Sequence, residues 1–278
     1  MASQQLQAYA ITAPGFYGLN TQDSSLDLAS GFALLANNCV IDQYGRVGAR
    51  KGWSPLNSAS TDLGSNPIKA IGEVVTLNGT SYSICAGHNK LFKYASGTLT
   101  TLTYGGGGVA PTISDDNWSI ASLNGQLFFF QNNHDPLVFD PSVSTTTYKR
   151  VSEMSGYLGS VQQANICISA YGRLWNASTA SDKVTLQFSD ILSGNVWNTG
   201  TSGELDTTTV WPLGGDVITA LGAHNGFLYI FGKNNILIYT GVDDPATMTL
   251  YDVVTGIGCI ARDSLAYTGT DLVFLSST

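Results

Sequence analysis

From residue 68 onward the chain alternates two kinds of segment: a short stretch where apolar and polar residues take turns, then a more continuously apolar run. A Gly-centred turn separates them each time. The pairs read VVTLNGTSYSICAG, SIASLNGQLFFFQN, CISAYGRLWNAS, TALGAHNGFLYIFG and SLAYTGTDLVFLSS. Period-two alternation bounded by turn residues predicts β-strands. The turn glycines Gly79, Gly125, Gly172, Gly226 and Gly269 recur at intervals of 46, 47, 54 and 43 residues. A repeat of that length carried by strands points to stacked antiparallel sheets. The expected fold is all-β, a β-propeller of four-stranded antiparallel blades, with about five visible and the last incomplete.

The pattern places strands at 70–77, 81–86, 90–94 and 98–103 in the first repeat, and at 118–123, 126–131, 137–140 and 146–151 in the second. The third takes 165–170, 173–176 and 184–189 with a weaker edge strand near Trp197, followed by the longest insertion at 190–212. The fourth takes 218–223, 227–231, 236–240 and 248–253, and the fifth only 263–267 and 271–275. GGGGVAP at 105–111 is expected to act as a flexible joint between the first two repeats. Residues 1–53 form a separate N-terminal arm and hairpin. SGFALLANN suggests one or two helical turns capped by Ser30, and NCVIDQYGRVGARKGW reads as a hairpin with arms at 39–41 and 46–50. Residues 54–67 have the composition of a linker, which leaves 68–278 as the propeller. A half-built last sheet would expose an unpaired edge. Either the 39–50 hairpin supplies the missing strands, or the natural protein continues; the second is favoured.

Charge narrows the function. Twelve Lys and Arg against twenty Asp and Glu give a net charge of -8, which disfavours phosphate-backbone binding as the main activity. Cys39, Cys85, Cys167 and Cys259 are scattered without a CxxC pair, and are expected to be reduced structural thiols. The opening MASQQLQAYA lacks the basic flank and apolar stretch of a secretion signal, and no apolar run approaches the ~20 residues that span a bilayer.

No residue set with catalytic, cofactor-binding or metal-binding spacing stands out. His88, His134 and His224 fall in separate turns, and GGGG lacks the GK[ST] of a phosphate loop. The candidate carboxylates Asp115–Asp116, Asp243–Asp244, Glu204 and Asp206 lie in polar turn segments, where Asp commonly bonds local backbone. SDILSGNVW at 189–197 bears a faint likeness to the turn-stabilising Asp-box of sialidase-type propellers, but Arg46, Arg50, Arg150, Arg173 and Arg262 are dispersed. The aromatic residues along the strands are accounted for by packing between adjacent sheets. Arg46, Arg50 and Lys51 form the densest positive spot in an acidic chain. They read equally as a solvated hairpin edge and as a docking contact for an acidic partner.

Three stretches carry a family likeness. They are GLNTQDSSLDLASGFALLANNCVIDQYGRVGARKGW (18–53), WSIASLNGQLFFFQNNHDPLVFD (118–140) and GIGCIARDSLAYTGTDLVFLSS (256–277). In this order and spacing, the arm and repeats resemble the tail nozzle (tail tubular B-like, or packaged-DNA-stabilising) proteins of short-tailed bacteriophages. The resemblance implies a structural virion protein of the phage tail, assembled in the host cytoplasm. It would form a homo-oligomeric ring, usually a hexamer, below the portal and adaptor proteins, with DNA passing through the lumen during ejection without specific binding. It implies no enzyme activity, no cofactor and no membrane contact. Asn38, Gly45, Arg50 and Gly52 match the opening motif and would belong to an arm that engages neighbours. The candidate contact residues are therefore Asn38, Arg46, Arg50 and Lys51. Relatives are typically much longer. The alternative is a carbohydrate-binding or glycan-cleaving β-propeller in host recognition, and a third reading is an interaction scaffold of cellular origin.

Overall fold

The computed structural model describes residues 16–52, 54, 60–114, 117–212 and 214–277. The chain divides into two compact units, Met1–Leu56 and Asn57–Thr278. Among the described residues it is all-β, its helical content limited to two 3₁₀ turns at Val151–Glu153 and Arg262–Ser264.

In the first unit, β1 (Gly18–Leu19) pairs in parallel with β2 (Phe32–Ala33), and β3 (Cys39–Ile41) pairs antiparallel with β4 (Val47–Ala49). Asp42 nucleates the hairpin turn, because its Oδ1 accepts the backbone N–H groups of Tyr44 and Arg46. The helical turns expected in SGFALLANN do not form. Ser30 caps nothing there, and Phe32–Ala33 is extended because its backbone pairs with Gly18–Leu19. None of the described residues of this unit is buried.

In the second unit the sheets follow one another along the chain. The first contains β5 (Ala70–Val75), β6 (Ser81–Gly87), β7 (Lys90–Ala95) and β8 (Thr98–Thr101). Next comes β9 (Thr103–Tyr104), which leaves that sheet. It pairs in parallel with β13 of the second, making the order β10 (Ser119–Leu123), β11 (Gln126–Phe130), β12 (Leu137–Phe139), β13 (Thr147–Arg150), β9. The expected single strand at 98–103 is thus broken at Leu102, and the second sheet has five strands rather than four. The third sheet contains β14 (Ile166–Ala170), β15 (Arg173–Ala177), β16 (Thr185–Phe188) and β17 (Gly203–Asp206). The fourth contains β18 (Ala220–His224), β19 (Phe227–Phe231), β20 (Asn235–Thr240) and β21 (Thr249–Thr255). The last is a pair, β22 (Ala266–Tyr267) with β23 (Leu272–Val273).

Hairpin turns at Asn124–Gly125, Tyr171–Gly172 and Asn225–Gly226 have positive φ at both residues. Their twist matches that of the flanking strands, and Asn-Gly tolerates it best. The second strands explain the continuously apolar runs. On β11, Leu127 and Phe129 pack into a layer with Val74, Ile84 and Leu91 of the first sheet. Phe128 and Phe130 pack with Cys167 and Leu174 of the third. A strand covered on both faces has no polar side. Trp175 and Phe188 meet Leu221, Leu228 and Leu237 in the next layer, and Phe231 meets Leu265 and Leu272 in the last. Each fully buried Phe or Leu contributes about 1.5–3 kcal/mol of transfer free energy. First strands adjoin in series, β5 to β10, β10 to β14 and β14 to β18.

The edge strand of the third sheet is Gly203–Asp206, not the segment near Trp197. Trp197 is buried, and its apolar character serves the layer between the second and third sheets. The start of the expected 263–267 strand lies in the second 3₁₀ turn. Within the expected linker, Leu63 is buried against Cys85 and Phe92, and Asp62 accepts hydrogen bonds from Lys90 and Thr101.

Candidate functional site

The hairpin separates its cations. Asn38 and Arg50 flank β3 and β4 at the open end, where the Arg50 N–H donates to the Asn38 carbonyl at 3.0 Å. Asn38 sits in the left-handed region at φ 57, a conformation that Asn accepts more readily than most residues. Lys51 follows Arg50 and is exposed like it. Arg46 lies at the turn end, about 13 Å away at the rise of an extended strand. There its guanidinium pairs with Asp42 at 2.8 Å and lies 5.2 Å from the Tyr44 ring centroid. Hydrogen bonds from the Arg46 backbone above all, then from that of Tyr44 and the Arg46 side chain, outweigh desolvation and hold the Asp42 carboxyl below its usual range. Such an exposed pair contributes little to stability. Asn38, Arg50 and Lys51 are therefore brought together, while Arg46 is committed to its own turn.

A second cluster lies where β9 meets β13. The Tyr104 hydroxyl donates to the Glu153 carboxylate, with oxygens at 2.6 and 2.7 Å, and accepts from Arg150 Nη1. Arg150 Nε donates to Asp135 at 2.8 Å and Nη2 to the Val109 carbonyl at 2.9 Å, while the Gly107 N–H donates to Glu153 at 2.9 Å. Burial, then the bond to Glu153, pushes the Tyr104 hydroxyl up to about 12. Burial alone would raise Glu153, but the bonds from Tyr104, Arg150 and Gly107 hold it below its usual range. The expected flexible joint at 105–111 is thus latched, and a Cβ on Gly106 would collide with the Glu153 carboxylate. Every ionisable group of this cluster has a partner, so it acts as a clamp.

A third arrangement centres on Arg262. Its Nη1 donates to the Asn165 carbonyl and, at 3.1 Å, to Asn165 Oδ1; its Nη2 donates to the Trp118 carbonyl at 3.0 Å. Trp118 and Asn165 immediately precede β10 and β14, and Arg262 precedes β22. One guanidinium therefore reaches the entry points of the second, third and last sheets. The Ser119 hydroxyl donates to the Cys167 carbonyl at 2.9 Å and accepts the Cys167 N–H at 2.8 Å, tying β10 to β14.

Of the sequence-selected carboxylates, Asp115 and Asp116 lie outside the described residues. Glu204 accepts from Gln187 at 3.1 Å, and Asp206 accepts from Thr208. Asp190, in the Asp-box-like stretch, accepts the Thr201 N–H and hydroxyl, and its own N–H donates to the Val196 carbonyl. The stretch is a closed turn. Arg173, which the sequence left among dispersed arginines, is 1% exposed, donates to the Ser189 and Thr201 carbonyls, and lies 3.8 Å from Asp190. His88 and His224 meet backbone carbonyls of Asp62 and Thr270, each at 2.8 Å. Cys85, Cys167 and Cys259 are buried free thiols and Cys39 is half-buried; burial pushes the Cys85 and Cys167 thiols up. Among the described residues no group of three His, Cys, Asp or Glu is placed to hold a metal ion, and no helix is long and apolar enough to cross a membrane.

These features define an all-β chain of consecutively stacked sheets tied at their first strands. No protein-family model and no curated protein sequence matches it. Among solved structures it is similar to PorZ, a surface component of the type-IX secretion system of Porphyromonas gingivalis, at 13% identity and a TM-score of 0.37, over 66% of this chain and 23% of that one. It is also similar to the extracellular domain of a hybrid two component system protein of B. thetaiotaomicron, at 10% identity and a TM-score of 0.39, over 76% and 31%. The computationally designed Ika8 protein aligns at 13% identity and a TM-score of 0.31, over 73% and 70%. The chain thus spans less than a third of the two natural proteins. None of the three is described as a phage tail protein.

Proposed function

We propose that this chain is a structural, non-enzymatic subunit: a β-propeller whose arm joins it to neighbours in a ring within a phage tail, as part of the conduit for ejected DNA. The observation that carries the assembly is the arm. Residues 16–52 bury none of their side chains, and ten large apolar ones stand exposed, including Leu26 at 93% and Leu35 at 74%. An apolar segment without its own core gains stability from an external surface. The radial arrangement is supported by Arg262. Sheets stacked face to face lie about 10 Å apart, so a flat stack would hold the second and last sheets roughly 30 Å apart, beyond the reach of one side chain. The tail setting rests on the sequence resemblance. The net charge of -8 suits a wall that phosphates slide past.

Native mass spectrometry and negative-stain imaging, with and without the adaptor ring, test the assembly. Symmetric rings are expected, and deleting residues 16–52 should abolish them. A monomer under both conditions would refute the reading. So would tight duplex binding at about 0.15 M salt, where phosphate contacts by a passive wall are screened.

A further inference from the structure

We propose that the second unit carries a binding groove for a neutral, hydroxyl-rich ligand, a short oligosaccharide, between its second and third sheets. The groove encloses about 510 Å³, the size of small-molecule sites. Its walls are the β11–β12 turn, the segment joining the two sheets, and the β15–β16 turn, so consecutive repeats contribute equivalent turns to it.

The lining selects the ligand. No Lys, Arg or His is among the lining residues, so an anion finds no counter-charge there, whereas Asp135 and Asp182 supply carboxylates. Both are held in place. Asp135 accepts from Gln163 at 2.9 Å and from Arg150 at 2.8 Å, and Asp182 Oδ1 accepts the N–H groups of Val184 and Thr185 at 2.9 and 3.0 Å. Carboxylate oxygens so anchored retain lone pairs for hydroxyl donors.

Gln162 adds an amide to the lining. Its Nε2 lies 3.4 Å from Glu204 and its backbone N–H donates to Gln187 at 3.0 Å, so the side chain is held beside the groove. Tyr157 gives the groove an aromatic wall, its hydroxyl fixed by the Val161 N–H at 2.9 Å. An aromatic side chain beside carboxylates and amides suits the two-sided surface of a pyranose, apolar C–H on one side and hydroxyls at the rim.

Saturation-transfer NMR and calorimetry on the full chain test this with maltotriose, cellotriose and chitotriose, and with inorganic phosphate as the anionic comparison. One of the neutral trisaccharides is expected to bind with a Kd of about 0.1–1 mM. Gln162→Ala should weaken it about tenfold, the scale of one lost hydrogen bond. Ser181→Trp, at an exposed position on the rim, should block the groove without touching the core. Absence of binding by all three sugars overturns the proposal. So does binding that survives Ser181→Trp, or phosphate binding that Ser181→Trp removes. Ring assembly is read separately, so failure here leaves the structural role standing.

Discussion

Replacing Arg262 by Ala removes three hydrogen bonds that connect sheets far apart in sequence. The side chain is 14% exposed, so the orphaned carbonyls of Trp118 and Asn165 recover water only in part. Hydrogen bonds from a charged donor contribute about 1.5–3 kcal/mol each, and discounting for water that returns leaves a loss of about 3–4 kcal/mol. The pair with Asp263, whose side chain is 69% exposed, adds almost nothing. For a domain of this size each kcal/mol lowers Tm by about 2–4 °C, so a drop of about 10 °C is expected. Scanning calorimetry and urea melts of the full chain measure it. Arg262→Lys should recover less than half, because an ammonium lacks the planar fork that serves two backbone segments at once. Amide exchange should quicken at the starts of β10 and β14 while the outer strands keep their protection. A drop under about 2 °C, or one matched by Arg46→Ala in the exposed hairpin, would refute the strut.

Three further outcomes follow from close contacts and shifted carboxyl or phenol groups. A Cβ at Gly194 would run into the ring of the fully buried Phe128, so Gly194→Ala should cost about 1–3 kcal/mol in urea melts; an unchanged midpoint would contradict the packing. Asp216 is 7% exposed and accepts four hydrogen bonds, from the backbone of Val217, Lys233 and Asn234 and from the Asn235 amide. Burial would raise its carboxyl, but those donors hold it below 3.8. Its contribution is therefore present above that value and lost as pH falls through the lower folded one. Asp216→Asn should cost about 2 kcal/mol at neutral pH and flatten the acid limb of the stability profile; an acid limb as steep as before would sink the assignment. Tyr104 runs the other way. With its folded value near 12 against 10.0, stability should decline as pH rises between those values, and Tyr104→Phe should remove that decline in alkaline melts followed by tyrosinate absorbance.

The sheets were readable because local chemistry and tertiary packing agree. Asn124–Gly125 and Asn225–Gly226 are hairpin turns in any context, and LFFF on β11 is apolar throughout because both of its faces are covered. Errors arose where one signal served another purpose. Val196 and Trp197 look like an edge strand, yet Trp197 fills a core layer from within a closed turn. SGFALLANN has helix-forming residues, but Phe32 and Ala33 find a backbone partner in Gly18 and Leu19. GGGG looks mobile, and its glycines instead admit Thr147 and Glu153 at close range. The importance of Arg150, Arg173 and Arg262 was hidden, since a dispersed arginine in sequence carries no sign of which carbonyls it will reach. Gln162 and its neighbours carry no spacing signal at all, because the groove they line draws on two repeats.

The departure of β9 from the first sheet alters where one repeat ends and the next begins. Thr103 and Tyr104 follow the first repeat in the chain but complete the ladder of the second. A chimaera spliced at the Gly-rich stretch would carry these two residues away with the wrong partner, stripping β13 of its parallel neighbour and Glu153 of its tyrosine. The natural seam for exchanging or duplicating repeats lies at Leu102, one residue before the crossover.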